Sequence, residues 1–155
     1  MKQLQNWLAE YGESHQNSSN KKIHWICVPL IFFSIVGFLF SIELPFQLNS
    51  TQPVTVAHLA LLLVFVYYFL LSWRLSIGMF VFGCLCLLGC RLLTAWGGVE
   101  LWKICLIIFS LAWIGQFYGH KIEGKKPSFL KDIQFLLIGP AWLMSFVYQK
   151  LHISY

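Results

Sequence analysis

The chain has 155 residues, of which 58% are hydrophobic and 11% are charged, and its mean hydropathy is +0.69. Soluble domains carry about 25% charged residues, so this composition excludes a soluble globular enzyme and a disordered protein. The formal net charge of +5 comes from basic residues in short clusters between apolar runs. Such clusters indicate membrane topology, and no nucleic-acid partner is expected. We predict a single transmembrane domain over residues 1–155, with the lipid bilayer as its surroundings.

The N-terminal segment is polar, but four large apolar side chains recur in it at helical spacing: Leu4, Trp7, Leu8 and Tyr11. This pattern predicts a short amphipathic helix that lies in the membrane interface. The segment has no apolar stretch of the kind that a cleavable signal peptide contains.

Four continuous apolar runs follow, each near the length of about 20 residues that a membrane-spanning helix needs. They cover residues 26–44, 54–73, 75–93 and 100–118. A shorter fifth run, residues 133–148, contains Gly139-Pro140 and fits either a kinked span or a re-entrant segment. The predicted fold is therefore an all-α polytopic membrane helical bundle with four spanning helices, the fifth segment and the interfacial N-terminal helix.

The basic residues between the runs predict the orientation of the bundle. Arg91 and Lys103 lie on one side, and the larger set lies on the other: Lys2, Lys21, Lys22, Arg74, Lys121, Lys125, Lys126 and Lys131. Because basic residues accumulate in cytoplasmic loops, the N-terminus is expected in the cytoplasm. The membrane would be a bacterial inner membrane or that of the endoplasmic reticulum.

The predicted topology sorts the histidines. His15 and His24 precede the first span and His120 follows the fourth, so all three are expected at the cytoplasmic face. His58 begins the second span and is expected at the opposite face, and no role is assigned to it or to His152. Neutral imidazole is the commonest protein metal ligand, and converging histidines at the end of a bundle suit Fe(II) or Zn(II). Ordinary interfacial histidines are the alternative.

Several strings resemble the Mpo1-like family. His15, Asn20, His24 and the following Val28-Pro29 resemble its H-x4-N-x3-H…VP opening. The string AWIGQFYGH, residues 112–120, resembles its W-x-x-Q-F-x-G-H signature. The string EGKKP, residues 123–127, is similar to its E-x-[KR]-[KR]-P continuation, and Gln134 and Pro140 match a later Q-x5-P element.

The resemblance implies a function. Family members with an assigned activity are Fe(II)-dependent dioxygenases that perform α-oxidation of 2-hydroxy long-chain fatty acids, with O2 as the second substrate. The products are CO2 and the acid one carbon shorter. The resemblance assigns His15, His24 and His120 as metal ligands and catalytic residues, Glu123 as a further ligand or base, and Asn20 and Gln116 as outer groups or substrate contacts. Lys125 and Lys126 would attract the substrate carboxylate, unless they serve only as topology signals.

The chain departs from the family pattern at three places. His120 and Glu123 are three positions apart, where the family spacing is four. Residues 128–132 replace the family's A-L-x-D-N, and Phe146 stands where the family has a later glutamate. Alternatives to the dioxygenase are therefore kept: a haem-binding bundle, a small transporter, and a non-catalytic protein in which the polar motifs join helices.

Overall fold

The computed structural model describes residues 2–49, 52–124 and 135–155. Within them the chain is predominantly helical, as the apolar runs predict. In chain order the elements are α1 (Lys2–Glu13), α2 (Ser18–Phe40), β1 (Glu43–Asn49), β2 (Gln52–Thr55), α3 (Val56–Leu71), α4 (Trp73–Trp96), α5 (Leu101–Glu123) and α6 (Ile138–Lys150).

Three of these helices, α2, α4 and α5, are long and apolar enough to cross a membrane. The second predicted span is the shorter helix α3, with 16 residues. At 1.5 Å per residue it rises about 24 Å, against a hydrocarbon thickness of about 30 Å. The described residues thus contain three helices of spanning length where four were predicted.

The loop between α2 and α3 is an antiparallel hairpin of β1 and β2, which the apolar pattern did not predict. Helix α2 ends at Phe40, before the predicted end of the run at residue 44. Pro45 disfavours helical backbone in the residue before it and has no N–H to donate, so the helix does not continue there.

Helices α2 and α5 form the most extensive helix pair among the described residues, and glycines let their backbones approach. A Cβ atom on Gly119 would lie under 3.0 Å from Oδ1 of Asn20, and one on Gly115 would lie 2.5 Å from Sγ of Cys27. These glycines are four residues apart and share one face of α5. They form the small-xxx-small pattern that allows membrane helices to pack closely.

The apolar face of α1 is covered by protein. Leu4, Leu8 and Tyr11 are buried together with Ile138 and Trp142 of α6. The face that was predicted to lie in the membrane interface therefore packs against α6, because an amphipathic pattern does not distinguish a lipid surface from a protein surface.

Helix α6 occupies the fifth apolar run, and Gly139 and Pro140 lie in its first turn. The N–H groups of the first helical turn have no acceptor within the helix, so a proline there removes no helical hydrogen bond and does not kink α6. With 13 residues, α6 rises about 20 Å and is too short for a straight span. At its other end, the Tyr148 hydroxyl donates a hydrogen bond of 2.7 Å to the backbone oxygen of Arg74 in α4.

Candidate metal centre

Three histidines from three parts of the chain converge at one end of the bundle. His15 lies between α1 and α2, His24 lies in the second turn of α2, and His120 lies near the end of α5. Their exposed fractions are 2%, 0% and 5%. One ligand atom from each ring lies within 4.8 Å of those of the other two. The convergence predicted from topology is therefore present.

The three rings contact one another directly. The His15 and His24 ring centroids are 4.2 Å apart, His15 and His120 are 5.5 Å apart, and His24 and His120 are 5.2 Å apart. These separations leave no space for a porphyrin plane between the rings, so the geometry does not favour the haem alternative.

Backbone carbonyl groups fix the tautomers of two of the rings. Nδ1 of His15 lies 2.6 Å from the backbone oxygen of Tyr11, and Nδ1 of His24 lies 3.0 Å from that of Asn20. A carbonyl oxygen only accepts, so each Nδ1 carries the proton and each Nε2 keeps its lone pair. Metal-binding histidines are commonly oriented by such a bond from their other nitrogen.

The strongest indication that the cluster could bind a metal is Nε2 of His24. This atom is buried and has no hydrogen-bond partner among the described residues. A buried polar atom without a partner costs about 1–3 kcal/mol, and coordination of a metal ion would satisfy it. The donor set of three imidazoles, two in the metal-binding tautomer, fits Fe(II) or Zn(II).

Aromatic side chains enclose His15. The ring of Tyr11 stacks on it at 4.3 Å and 12°, and the Trp142 ring lies 5.3 Å away. Sequence reasoning interpreted Tyr11 only as part of an amphipathic face and assigned Trp142 no role. The spacing of four residues between Tyr11 and His15 places them on adjacent turns and could have indicated the contact.

Glu123 does not join the histidine cluster, although the family resemblance offered it as a ligand. Its carboxylate accepts hydrogen bonds from the backbone N–H groups of Gln16 and Asn17, at 2.8 Å and 3.0 Å, and from the side-chain amide of Asn20 at 2.9 Å. Glu123 therefore ties the end of α5 to the segment that carries His15 and begins α2. A helix N-terminus is a favourable place for a negative charge.

Asn20 lies beside the cluster, as expected for an outer group. Its side-chain amide donates hydrogen bonds to Glu123 and to the backbone oxygen of Ser14. Its own backbone oxygen accepts a hydrogen bond from Nδ1 of His24. Oδ1 of Asn20 is buried without a partner among the described residues. Gln116, one turn before His120, is buried and lines a cavity of about 30 Å³ with Trp113 and Gly139.

The other predicted residues lie elsewhere. Lys125, Lys126 and Gln134 lie outside the described residues. His58 is at the opposite end of α2 from His24: its ring lies 6.1 Å from Phe40, and its Nδ1 accepts a bond of 3.1 Å from the backbone N–H of Thr55. His152 follows α6 and is not part of the cluster.

The fold and the site together define a class: a membrane helical bundle with a buried cluster of three histidines at one end. The family model described as 2-hydroxy-palmitic acid dioxygenase Mpo1-like matches residues 1–151, and the chain belongs to this family. The chain is 31% identical over 144 residues to the 2-hydroxy-palmitic acid dioxygenase MPO1 of Saccharomyces cerevisiae, across 91% of this chain and 77% of the relative. No solved structure matches the chain. The family resemblance of the sequence motifs is thereby confirmed.

Proposed function

We propose that the protein is an Fe(II)-dependent dioxygenase that converts a 2-hydroxy long-chain fatty acid and O2 into the acid one carbon shorter, CO2 and water. Atoms balance in this equation: the hydroxylated carbon is oxidised to a carboxyl group, the original carboxyl group leaves as CO2, and O2 is reduced. The observation that carries the proposal is the buried imidazole cluster with the unpartnered Nε2 of His24. The activity for which the yeast relative is named supports the substrate class.

The reaction class selects the metal. Zn²⁺ has no redox chemistry, whereas a dioxygenase must pass electrons to O2. Imidazole ligands also suit iron. When bound, Fe(II) would supply the redox centre and chelate the hydroxyl and carboxylate oxygens of the substrate. His15, His24 and His120 would hold it.

The chain's own groups then have distinct tasks. The backbone oxygens of Tyr11 and Asn20 keep His15 and His24 in the metal-binding tautomer. Tyr11 and Trp142 exclude water from the His15 ring. Glu123 positions the α1–α2 segment and is a positioning residue in this proposal.

The alternative is a non-catalytic bundle, in which the polar side chains only join helices. In such a bundle the buried polar side chains should form hydrogen bonds with one another. Nε2 of His24 has no such hydrogen bond among the described residues, which favours the metal site over this alternative.

Elemental analysis of the purified protein tests the metal, with His58→Ala as the matched control. Wild type and His58→Ala should hold iron, whereas His24→Ala and His120→Ala should lose it while remaining folded in detergent. Iron-loaded wild type should convert 2-hydroxy-palmitic acid, and the non-hydroxylated acid should not react because it lacks the second chelating oxygen. Undiminished iron in both histidine variants, or no turnover by the iron-loaded protein, would contradict the proposal.

A further inference from the structure

A groove of about 510 Å³ opens beside the histidine cluster, between α1 and α6. Its lining is mixed: beside His15 it includes the apolar side chains of Leu8, Ala9, Trp142 and Phe146, and polar side chains such as Gln16 and Gln149. Its volume lies in the range of about 300–1,000 Å³ that is typical of small-molecule sites. The cavity at Gln116, with about 30 Å³, has room only for a molecule of about the size of water. A larger cavity of about 840 Å³ borders His58 at the other end of the bundle and does not reach the cluster.

Among the residues that the structure describes, the cation in the lining of this groove is Lys21. It is half-buried, and its ammonium group has no hydrogen bond or ion pair among those residues. Glu13 also lines the groove and has an interaction partner. The neighbouring Lys22 is exposed and lies outside the groove. Because adjacent residues of a helix point in different directions, the two lysines differ in position, and Lys22 provides a matched control for Lys21.

We propose that this groove is the substrate site: the ammonium group of Lys21 binds the carboxylate of the 2-hydroxy acid, and the acyl chain lies on Trp142 and Phe146. The inference rests on the proposed function, because it names the site from which that substrate reaches His15. The same groove thus brings together a cation, an apolar surface and one ring of the histidine cluster. An amphiphile whose reacting carbon is next to its carboxylate has the matching set of groups. The apolar Phe146, where the family pattern has a glutamate, leaves the chain-binding wall uncharged.

The first test compares Lys21→Gln with Lys22→Gln. A hydrogen bond to a charged group contributes about 1.5–3 kcal/mol, so Lys21→Gln should raise KM for 2-hydroxy-palmitic acid about 10- to 100-fold. The iron content should stay unchanged, Lys22→Gln should match wild type, and Lys21→Arg should restore most of the binding because it keeps the charge. Equal KM values for Lys21→Gln and Lys22→Gln would overturn the assignment of Lys21.

The second test blocks the groove. Ala9 is exposed on α1 and lines the groove, whereas Asn6 is exposed on the same helix and does not line it. Ala9→Trp should raise KM for long-chain 2-hydroxy acids more than for short ones, and Asn6→Trp should leave both unchanged. Identical chain-length profiles for the two tryptophan variants would show that the chain binds elsewhere.

Binding is also measured without turnover, which separates this inference from the proposed function. In the absence of O2, 2-hydroxy-palmitic acid should raise the Tm of the iron-loaded wild type in detergent, because a ligand that binds only the folded state stabilises it. The shift should be absent in Lys21→Gln. If wild type turns the acid over and both lysine variants show the same shift, the groove assignment fails while the proposed function stands. If the shift depends on Lys21 but no product forms, the proposed function fails instead.

Discussion

Gly119 brings α5 against the turn of α2 that holds His24, and its replacement by alanine is the most direct test of the geometry. The added Cβ would lie under 3.0 Å from Oδ1 of Asn20 and 3.4 Å from Cε1 of His24. Asn20 is buried and held by Ser14 and Glu123, so it has little room to yield. The helices must therefore separate at the histidine cluster.

The cost of this separation can be estimated from two opposing terms. Overpacking in a well-packed core costs about 1–3 kcal/mol, and alanine gains about 1 kcal/mol over glycine in a helix. The net loss of unfolding free energy should be about 0–2 kcal/mol. Because the clash pushes the whole turn of α2 at Asn20 away, it should also disturb the bond between Nδ1 of His24 and the backbone oxygen of Asn20. The loss of such an outer-shell bond typically lowers metal affinity about 10- to 100-fold.

Gly115→Ala is the matched control, because its Cβ would lie 2.5 Å from Sγ of Cys27, one turn away from the histidines. Both variants should lose similar stability in thermal unfolding in detergent. Only Gly119→Ala should weaken iron binding, as measured by competition with a chelator, and Asn20→Ala added to Gly119→Ala should recover part of the lost stability. Equal iron affinity in the two glycine variants would refute the argument that α5 positions His24 through Asn20.

Three further predictions concern groups around the site. Glu123→Gln keeps an acceptor oxygen and should retain the iron. Glu123→Ala should lower the free energy of unfolding by about 1–3 kcal/mol. Loss of iron in Glu123→Gln would indicate that Glu123 is a ligand. Asn17→Ala should cost about 1 kcal/mol in thermal unfolding, because the Asn17 side chain caps α2, and Asn17→Asp should not. Tyr148→Phe should cost about 1 kcal/mol through loss of the bonds to Arg74 and Gly78. The iron content should stay unchanged, and a loss of iron would show that these two bonds also position the histidine cluster.

Topology alone predicted much of the site. His24 and His120 converge because each lies at the end of a long apolar helix and the two ends belong to the same side of the bundle. The role of Gly119 in close approach was also predictable, since a glycine beside a candidate ligand has no other evident use in a helix. The apolar runs also located the long helices α2, α4 and α5, because length and hydropathy alone determine whether a helix can cross a membrane.

Other features depend on contacts that no local pattern encodes. Glu123 is suited to coordinate a metal or to cap a helix, and only the position of the α2 N-terminus decides between them. Leu4 and Leu8 are equally suited to contact with lipid and with α6. The hairpin before α3 contains Pro45 and Pro53, yet its strands pair through backbone groups that side-chain periodicity does not report.

The hydrogen bond between Asn20 and Glu123 joins residues 103 positions apart, which has a consequence for biosynthesis. At about 5–20 residues per second, the ribosome needs about 5–20 s to make the segment between them. During that time Asn20 has been made without Glu123, and His15 and His24 have been made without His120. Completion of the centre therefore awaits the arrival of α5, so that its last turn closes the site only after most of the chain has been made.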